Sequence, residues 1–376
     1  MNLAINIIWN IILIGFSSYV IWRATDGFEL ASDYLGRKFS KGIKGASLNA
    51  IASSMPEFLA TLFFLFYIRE ADSYSGGIGI TGGSAVFNIL VIPICIYFVV
   101  MITQKVSRVP VNRKIIFRDG IVLLAMTALV ALVVNRPTLD YRHGLLLTMP
   151  YFLYLGWLFL SAKDELKEEV PFAYIPREKN SGSKAYMRID LEKILLGGKQ
   201  IRNDNAWILL TGSVIVMVLG TWLLVYGTDQ LGKTLHIPLI FVSVVLAAAA
   251  SSIPDTMISM RDAKKGNYED AFSNALGSNI FDISFALGFP LLLYTLVYEP
   301  VRMDPLIIEA SSELWLFLLG ITAVTFLLLV TGKYLTRSKV WVMVLLYIAF
   351  IIFIIIELIL KVDTSDYLYE FLPGIC

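Results

Sequence analysis

Two long apolar stretches of this sequence carry the same five-residue segment, in which two hydroxyl side chains precede a proline and a carboxylic acid. The segment reads Ser-Ser-Met-Pro-Glu at 53–57 and Ser-Ser-Ile-Pro-Asp at 251–255, 198 positions later. A carboxylate at the centre of a bilayer costs about 2.5–3.5 kcal/mol, and a proline leaves a backbone carbonyl without its donor. Such groups are tolerated in a membrane only where they face protein or water. The duplication therefore predicts one polar site, built from both copies. Its hydroxyl, carbonyl and carboxylate oxygens suit a hard cation such as Ca²⁺ or Na⁺.

The composition supports a membrane location for these segments. Hydrophobic residues make up 57% of the 376 residues, charged residues only 16%, and the mean hydropathy is +0.71. These values are typical of a multi-spanning, all-α integral membrane protein rather than a soluble domain. Ten apolar runs are long enough to span a bilayer, at about 3–22, 42–68, 76–102, 117–134, 144–161, 206–227, 238–260, 268–296, 314–331 and 339–360.

The basic residues predict how the runs are oriented. A polar segment, 163–205, divides the runs into a first half at 1–162 and a second half at 206–376, with five runs in each. Because five is odd, the two halves must enter the membrane from opposite sides. Of the 31 Lys and Arg residues, 25 lie in the odd-numbered loops or within three residues of them. By the positive-inside rule these loops are cytoplasmic and both termini face out. We interpret 163–205 as a cytoplasmic, solvated linker. Inverted repeats with interrupted helices are typical of secondary transporters.

A second duplicated segment follows each proline. Residues 82–89 correspond to 276–283 with an offset of 194, so the first copy has four extra residues, which we place in the loop around 69–75. Ser84 and Asn88 are four residues apart, as are Ser278 and Asp282, so each pair shares one helix face. The glycines at 83 and 277 predict close helix approach. The combined site has three acids and no basic residue, a charge that favours cation exchange.

These duplicated segments resemble the alpha repeats of the calcium:cation antiporter superfamily. The similarity covers about 42–95 and 228–296, and it is greatest to the potassium-dependent sodium/calcium exchangers, which share Gly-Ser-Asn-Ile-Phe-Asp at 277–282. The family fold has ten helices in two inverted halves of five. The usual Gly-Thr-Ser before the proline is replaced here by Ala-Ser-Ser in both copies.

The resemblance implies roles for twelve residues. Glu57 and Asp255 are the expected central Ca²⁺ carboxylates, which also bind Na⁺. Hydroxyls are expected from Ser53, Ser54, Ser251 and Ser252, backbone carbonyls from Ala50 and Ala248, and the flanking cation sites from Ser84, Asn88, Ser278 and Asp282. Asp282 is at the position linked to K⁺ in the potassium-dependent exchangers. For the serines beside the prolines, the simpler alternative is back-bonding to a helix carbonyl. For Asn88 and Asp282 it is an interhelical hydrogen bond.

The sequence thus predicts a secondary antiporter, not an enzyme, that exchanges Ca²⁺ for Na⁺, with or without K⁺, by alternating access. Its expected partners are inorganic cations and the lipid bilayer, most simply the plasma membrane. We expect no cofactor and no nucleic acid, and we infer no protein partner. The main alternative is a proton-coupled exchanger, or one for Mg²⁺ or Mn²⁺. An intramembrane aspartyl protease using Asp255 and Asp282 is less favoured, because it lacks the Gly-x-Gly-Asp signature and leaves Glu57 without a role.

Overall fold

The computed structural model describes residues 3–37, 45–70, 72–161, 188–197 and 199–361. This part of the chain is almost entirely helical and contains ten helices that are long and apolar enough to cross a membrane. We number them as spans 1–10: Leu3–Leu35, Gly45–Ile68, Ser73–Gln104, Arg113–Val134, Tyr141–Leu160, Asn203–Leu235, Leu239–Lys264, Tyr268–Val297, Pro305–Val330 and Arg337–Lys361. A short further helix, Leu191–Leu196, precedes span 6. The prediction of an all-α protein with ten spans is confirmed.

Spans 1 and 6 are longer than the apolar runs predicted. Each is a helix of 33 residues, whereas the runs ended at 22 and 227. The prediction for span 1 stopped at Arg23, the first charged side chain. The helix continues because its charges are paired: Asp26 forms ion pairs with Arg23 and with Arg261 of span 7, and Arg261 also contacts Glu29. Hydropathy alone does not reveal such pairing.

Four spans change from α-helical to π-helical geometry along their length. In span 2 a π segment, Gly45–Asn49, precedes the helix Ala50–Phe63, and a second, Phe64–Ile68, ends it. Span 7 has a π segment at Ser243–Ala247, 198 residues after the first. Spans 3 and 8 have π segments at Phe87–Val91 and Asp282–Ala286, between the α-helical parts Ser73–Val86 and Ile92–Gln104, and Tyr268–Phe281 and Leu287–Val297. The duplication seen in the sequence is therefore also present in the backbone, and π segments of this kind are common at functional sites.

The two prolines act differently, which corrects the prediction that both break a helix. Span 7 is interrupted at Ser252 (φ −83°, ψ 0°), between helices Ala248–Ser251 and Ile253–Lys264; the helix Leu239–Val242 begins the span. Pro254 lies in the first turn of the new helix, where a missing N–H is tolerated. Pro56 lies inside the continuous helix Ala50–Phe63. The first copy therefore loses a hydrogen bond without losing its helical backbone.

The loop predicted to hold the four extra residues contains only part of them. Span 2 continues 12 residues beyond Pro56, whereas span 7 continues 10 beyond Pro254. Two of the four extra residues therefore lengthen a helix rather than the loop. The final π segment of span 2, Phe64–Ile68, includes this extension and has no equivalent at the end of span 7.

Two pairs of short strands show which loops lie at the same end of the bundle. Strand β1, Arg108–Pro110, pairs antiparallel with β4, Tyr334–Thr336, which joins loops 3 and 9. Strand β2, Thr138–Leu139, pairs antiparallel with β3, Val301–Arg302, which joins loops 4 and 8. Both pairs join loops that the basic-residue count assigns to the same side. Which end faces the cytoplasm stays a prediction.

Spans 2, 3, 7 and 8 form the centre of the bundle. The most apolar part of span 7 is 72% buried, against 22% for span 10, so the outer spans face lipid with large apolar side chains. Glycines let the central spans approach closely, as predicted. A Cβ at Gly277 would lie 2.7 Å from Ala46 Cα, and a Cβ at Gly83 would collide with the Val244 carbonyl. The two contacts are equivalent in the repeat, because Gly277 corresponds to Gly83 at the offset of 194 and Val244 corresponds to Ala46 at the offset of 198.

Spans 1 and 6 pack along each other at the side of this centre. The short helix Leu191–Leu196 fits against them, and its two terminal leucines are buried in a cluster with Ala24 and Phe28 of span 1. The interpretation of 163–205 as a solvated linker is therefore wrong for this part. Residues 163–187 and 198 of the predicted linker lie outside the described residues.

Candidate cation site

Three carboxylates from three spans meet at the centre of the bundle. Glu57 of span 2, Asp255 of span 7 and Asp282 of span 8 each place one oxygen within 4.8 Å of the other two. All three side chains are fully buried. Ca²⁺ lies about 2.3–2.6 Å from its oxygen ligands, so ligands on opposite sides of one ion are about 5 Å apart. One cation could therefore contact all three acids at once.

Corresponding serines connect these acids to spans 3 and 8. Ser278 donates a hydrogen bond to Asp255 Oδ1 at 2.7 Å. Its counterpart Ser84 lies 3.3 Å from Glu57 Oε1 and 2.9 Å from Asp282 Oδ2, within donating distance of both. Each serine thus contacts the acid of its own half. Ser84 alone also contacts an acid of the other half.

The remaining polar contacts tie the two halves together around Ser84. Ser252 donates to Ser84 Oγ at 3.0 Å. The Asn88 amide lies 3.4 Å from both Ser84 Oγ and Asp282 Oδ2. The interhelical hydrogen bond that was the simpler alternative for Asn88 and Asp282 is therefore present. It uses only the amide nitrogen, so it leaves the carbonyl oxygen of Asn88 available.

Several buried oxygens at this site have no hydrogen-bond donor among the described residues. Each of the three acids keeps one such oxygen, and three further ones surround them: Glu57 Oε2, Asp255 Oδ2, Asp282 Oδ1, Asn88 Oδ1, Ser54 Oγ and Asn49 Oδ1. Leaving a buried polar atom unsatisfied costs about 1–3 kcal/mol, and more for a charged group. No Lys, Arg or His is among the fully buried residues of the described part. The site is thus a concentration of oxygen ligands and negative charge, suited to cations.

All twelve predicted residues are buried, but not all contact the acids. Ser53 bonds back to the Asn49 carbonyl at 2.8 Å and also lies 3.3 Å from Ser278 Oγ. Ser251 donates to the Ala248 carbonyl at 3.2 Å, so both serines bond back to a helix carbonyl. Both also interact with an acid of the other half, Ser53 with Asp255 and Ser251 with Glu57. The Ala248 carbonyl also accepts the Ser252 N–H at 2.9 Å.

Ser54 and its counterpart Ser252 differ in their contacts. Ala50 begins the helix Ala50–Phe63, and its carbonyl lies 3.4 Å from Ser53 Oγ. Ser54 Oγ has no hydrogen-bond partner among the described residues, whereas Ser252, its counterpart, bonds to Ser84. The hydroxyl of Ser54 is therefore the freer of the two.

The structure adds three asparagines that the sequence reasoning missed. Asn274 lies 3.5 Å from Ser53 Oγ and donates to Ser259 and to the Asp255 carbonyl. Asn279 donates to the Ala85 carbonyl at 3.0 Å, and Asn49 precedes the helix of span 2. A signal for Asn274 was available, because it lies four residues before Ser278 on the same helix face. Its counterpart in the first copy is an isoleucine, so a comparison of polar residues between the two copies did not identify Asn274.

A further contact involves the carbonyl that Pro254 leaves without its donor. That carbonyl belongs to Ala250, four residues earlier, and Ser18 of span 1 donates to it at 2.7 Å. Span 1 therefore supplies the hydrogen bond that the proline removes. The sequence predicted a freed carbonyl here but not its partner.

Comparison with known families and proteins agrees with this geometry. The model of the family described as sodium/calcium exchanger protein matches residues 8–160 and 205–356. The uncharacterized membrane protein MJ0091 of Methanocaldococcus jannaschii is 26% identical over 301 residues, which are 79% of this chain and 86% of that protein. Sodium/potassium/calcium exchanger 2 of Mus musculus is 35% identical over 101 residues, or 27% of this chain and 15% of that protein.

Solved structures show the same fold. The sodium-calcium exchanger NCX_Mj, soaked with 10 mM Na⁺ and 10 mM Sr²⁺, matches 92% of this chain and 98% of its own with a TM-score of 0.55 and 21% identity. The H⁺/Ca²⁺ exchanger CAX matches 99% of this chain and 93% of its own with a TM-score of 0.58 and 14% identity. The ten-helix architecture is thus shared with two exchangers whose driving ions differ.

Proposed function

Because this chain belongs to the sodium/calcium exchanger family, we propose that it is a secondary active antiporter that exchanges Ca²⁺ for Na⁺ across a membrane. The observation that carries this proposal is the convergence of Glu57, Asp255 and Asp282, fully buried and within 4.8 Å of one another. No Lys, Arg or His among the described residues is buried beside these three acids, which favours the binding of cations by the acids. A site of this kind, between corresponding halves of a membrane protein, is typical of transporters.

The ligand set supports exchange of one divalent ion for several monovalent ions. Glu57 and Asp255 come from corresponding positions and would share one Ca²⁺, with Ser84 and Ser278 orienting one oxygen of each acid. The freer oxygens around them, from Ser54, Asn88 and Asp282, would take the additional Na⁺ ions. Because the acids repel one another when no cation is bound, the empty site is unfavourable. This favours obligatory exchange over a leak.

The choice of Na⁺ as the driving ion rests on the relatives. By its name, the sodium/potassium/calcium exchanger transports Na⁺ and Ca²⁺, as does the sodium-calcium exchanger NCX_Mj. CAX, in contrast, is named as an H⁺/Ca²⁺ exchanger. Protons compete for the same carboxylates, so proton coupling is the second candidate. Asp282 is the group on which K⁺ dependence would rest. A plasma-membrane location is proposed from the predicted topology.

The mechanism we propose is alternating access, in which spans 1 and 6 move as a pair against spans 2, 3, 7 and 8. Spans 1 and 6 pack along each other, and at the centre span 1 holds span 7 through the Ser18–Ala250 hydrogen bond. At one end of the bundle, Asp26 and Glu29 of span 1 also hold span 7 through their ion pairs with Arg261. Movement of the pair would break or re-form both contacts and so open the site to one side at a time.

Ion flux in proteoliposomes tests the proposal. Vesicles containing the full chain and loaded with Na⁺ are diluted into Na⁺-free buffer containing ⁴⁵Ca²⁺, with and without K⁺ on both sides. We expect uptake only when the Na⁺ gradient is present. Uptake that needs a pH gradient and not Na⁺ would favour the proton-coupled alternative. The absence of Ca²⁺ uptake under every gradient would contradict both.

The site assignment is tested in the same vesicles with Glu57→Gln. We expect Ca²⁺ uptake to fall to background, because the variant removes one of two shared Ca²⁺ carboxylates while keeping the size of the side chain. Glu309→Gln is the matched control, since this side chain is 66% exposed at one end of the bundle and should retain full flux. A folded Glu57→Gln protein with normal uptake would show that the site lies elsewhere.

A further inference from the structure

A strongly basic surface lies at the end of the bundle where spans 4, 9 and 10 meet. The segments 105–118 and 331–341 contain eight Lys or Arg residues and no Asp or Glu. Pairing of strands β1 and β4 brings the two segments together, and the Val111 N–H donates to the Lys333 carbonyl at 3.0 Å. We call this the β1–β4 surface.

Two cationic side chains converge at one point of the β1–β4 surface. Arg113 donates from Nε to the Gly332 carbonyl at 3.0 Å, and Lys339 donates to the adjacent carbonyl of Thr331. Neither forms an ion pair with any described residue, and only Arg118 of the eight basic residues does, with Asp119. Two positive groups held on neighbouring carbonyls repel each other unless an anion lies between them.

The remaining donors of this pair suit a phosphate group. A guanidinium has five N–H donors and an ammonium has three, and each uses one on a carbonyl. The donors that remain can bind phosphate oxygens, which Arg recognises with two parallel hydrogen bonds. Gly332 has φ +102°, a conformation that favours glycine, and it lets the chain turn so that both carbonyls face the two cations.

Exposed aromatic side chains on the same two segments favour a lipid as the source of the phosphate. Phe117 of span 4 and Trp341 of span 10 are each 54% exposed, and Tyr334 of β4 is 44% exposed. Exposed Trp and Tyr side chains at span ends are typical of the membrane interface, and apolar groups one turn further on face lipid tails. Basic clusters at this level bind anionic lipid headgroups.

We propose that Arg113 and Lys339, together with the 331–332 turn, bind the phosphate of an anionic phospholipid. The lipid would hold spans 4 and 10 together through its headgroup, with its tails against Phe117 and Trp341. This binding site is separate from the cation site of the proposed function and does not depend on it.

Native mass spectrometry of the full-length protein in detergent tests this proposal, with dioleoyl phosphatidylglycerol and dioleoyl phosphatidylcholine titrated separately. We expect the double variant Arg113→Gln/Lys339→Gln to bind phosphatidylglycerol about 25-fold more weakly or worse, from about fivefold for each charge removed. The control is Lys264→Gln/Lys265→Gln, which removes two exposed charges from the end of span 7. It should change binding by less than twofold. Equal melting temperatures in phosphatidylcholine would show that the variants are folded.

Three results would overturn the proposal. Equal loss of phosphatidylglycerol in both double variants would show only a general attraction to positive charge. Complete displacement of the lipid by millimolar inorganic phosphate would identify a site for free phosphate. If wild-type protein binds phosphatidylglycerol no more tightly than phosphatidylcholine, the β1–β4 surface does not recognise an anionic headgroup.

Discussion

Arg261 connects span 1 to span 7 through two buried acids, and its removal is a sharp test of how these spans are held together. Its guanidinium contacts Asp26 and Glu29, whose side chains are only 6% and 8% exposed, and is itself 22% exposed. Asp26 also pairs with Arg23 of its own helix, whereas Arg261 is the only ion-pair partner of Glu29 among the described residues. In Arg261→Gln, Glu29 therefore becomes a buried charge with no ion-pair partner among the described residues.

The expected free energies follow from this geometry. Removing one partner of a buried ion pair costs about 3–5 kcal/mol, and we take about 3 because Arg261 is partly exposed. Glu29→Gln should cost about 2 kcal/mol, the value of a charge-assisted hydrogen bond, since Arg261 keeps Asp26. The double variant has no unpaired buried charge at Glu29, so it should cost about 3 rather than the additive value of about 5. The coupling energy is then about 2 kcal/mol.

Unfolding of the four proteins in mixed micelles, followed by tryptophan fluorescence, measures these differences. Lys264→Gln is the control, because it removes an exposed cation from the same end of span 7 and should have little effect. Single variants whose effects add to within about 0.5 kcal/mol would refute the pairing of Arg261 with Glu29. A stable Arg261→Gln protein would show that the two spans are held together by their apolar packing.

Three further outcomes are expected. Ser18→Ala should destabilise the protein by about 1–3 kcal/mol in the same unfolding assay, because the Ala250 carbonyl loses its donor; an unchanged value would show that water replaces the hydroxyl. Gly277→Val should prevent folding or exchange, since even a Cβ at this position lies 2.7 Å from Ala46 Cα; normal Ca²⁺ flux would contradict the close packing of spans 2 and 8. Asp282→Asn should abolish any dependence of Ca²⁺ flux on K⁺ while leaving Ca²⁺ binding measurable by isothermal titration; retained K⁺ dependence would remove Asp282 from that role.

The sequence predicted those features that depend on residue type at fixed spacing. The number of spans follows from the length of the apolar runs, and the central acids follow from repetition of the Ser-Ser-x-Pro-acid segment. Ser84 and Ser278 were found because each lies four residues before a polar side chain in its own copy, and the structure places both beside the acids. Residue types and repeated segments can both be read directly from the sequence.

What could not be predicted depends on contacts between distant segments. The hydropathy pattern could not extend span 1 through Asp26 and Glu29, because their partner Arg261 lies more than 230 residues away. It could not show that Pro254 interrupts a helix while Pro56 does not, since the two local sequences are alike. Asn274 was missed because its counterpart in the first copy is the apolar Ile80, so a search for polar residues that occur in both copies does not find it.

The difference between the two copies has a consequence for transport. Glu57 and Asp255 are at corresponding positions, and in the proposed cation site they would together balance the charge of one Ca²⁺. Asp282 replaces the neutral Asn88 of the first copy and adds a third negative charge at the same place. One divalent ion cannot neutralise three carboxylates, so the Ca²⁺-loaded site must also hold a proton or a monovalent cation near Asp282. The identity of that ion therefore determines whether the exchanger depends on H⁺, Na⁺ or K⁺, and Asp282→Asn is the change that separates it from Ca²⁺ binding.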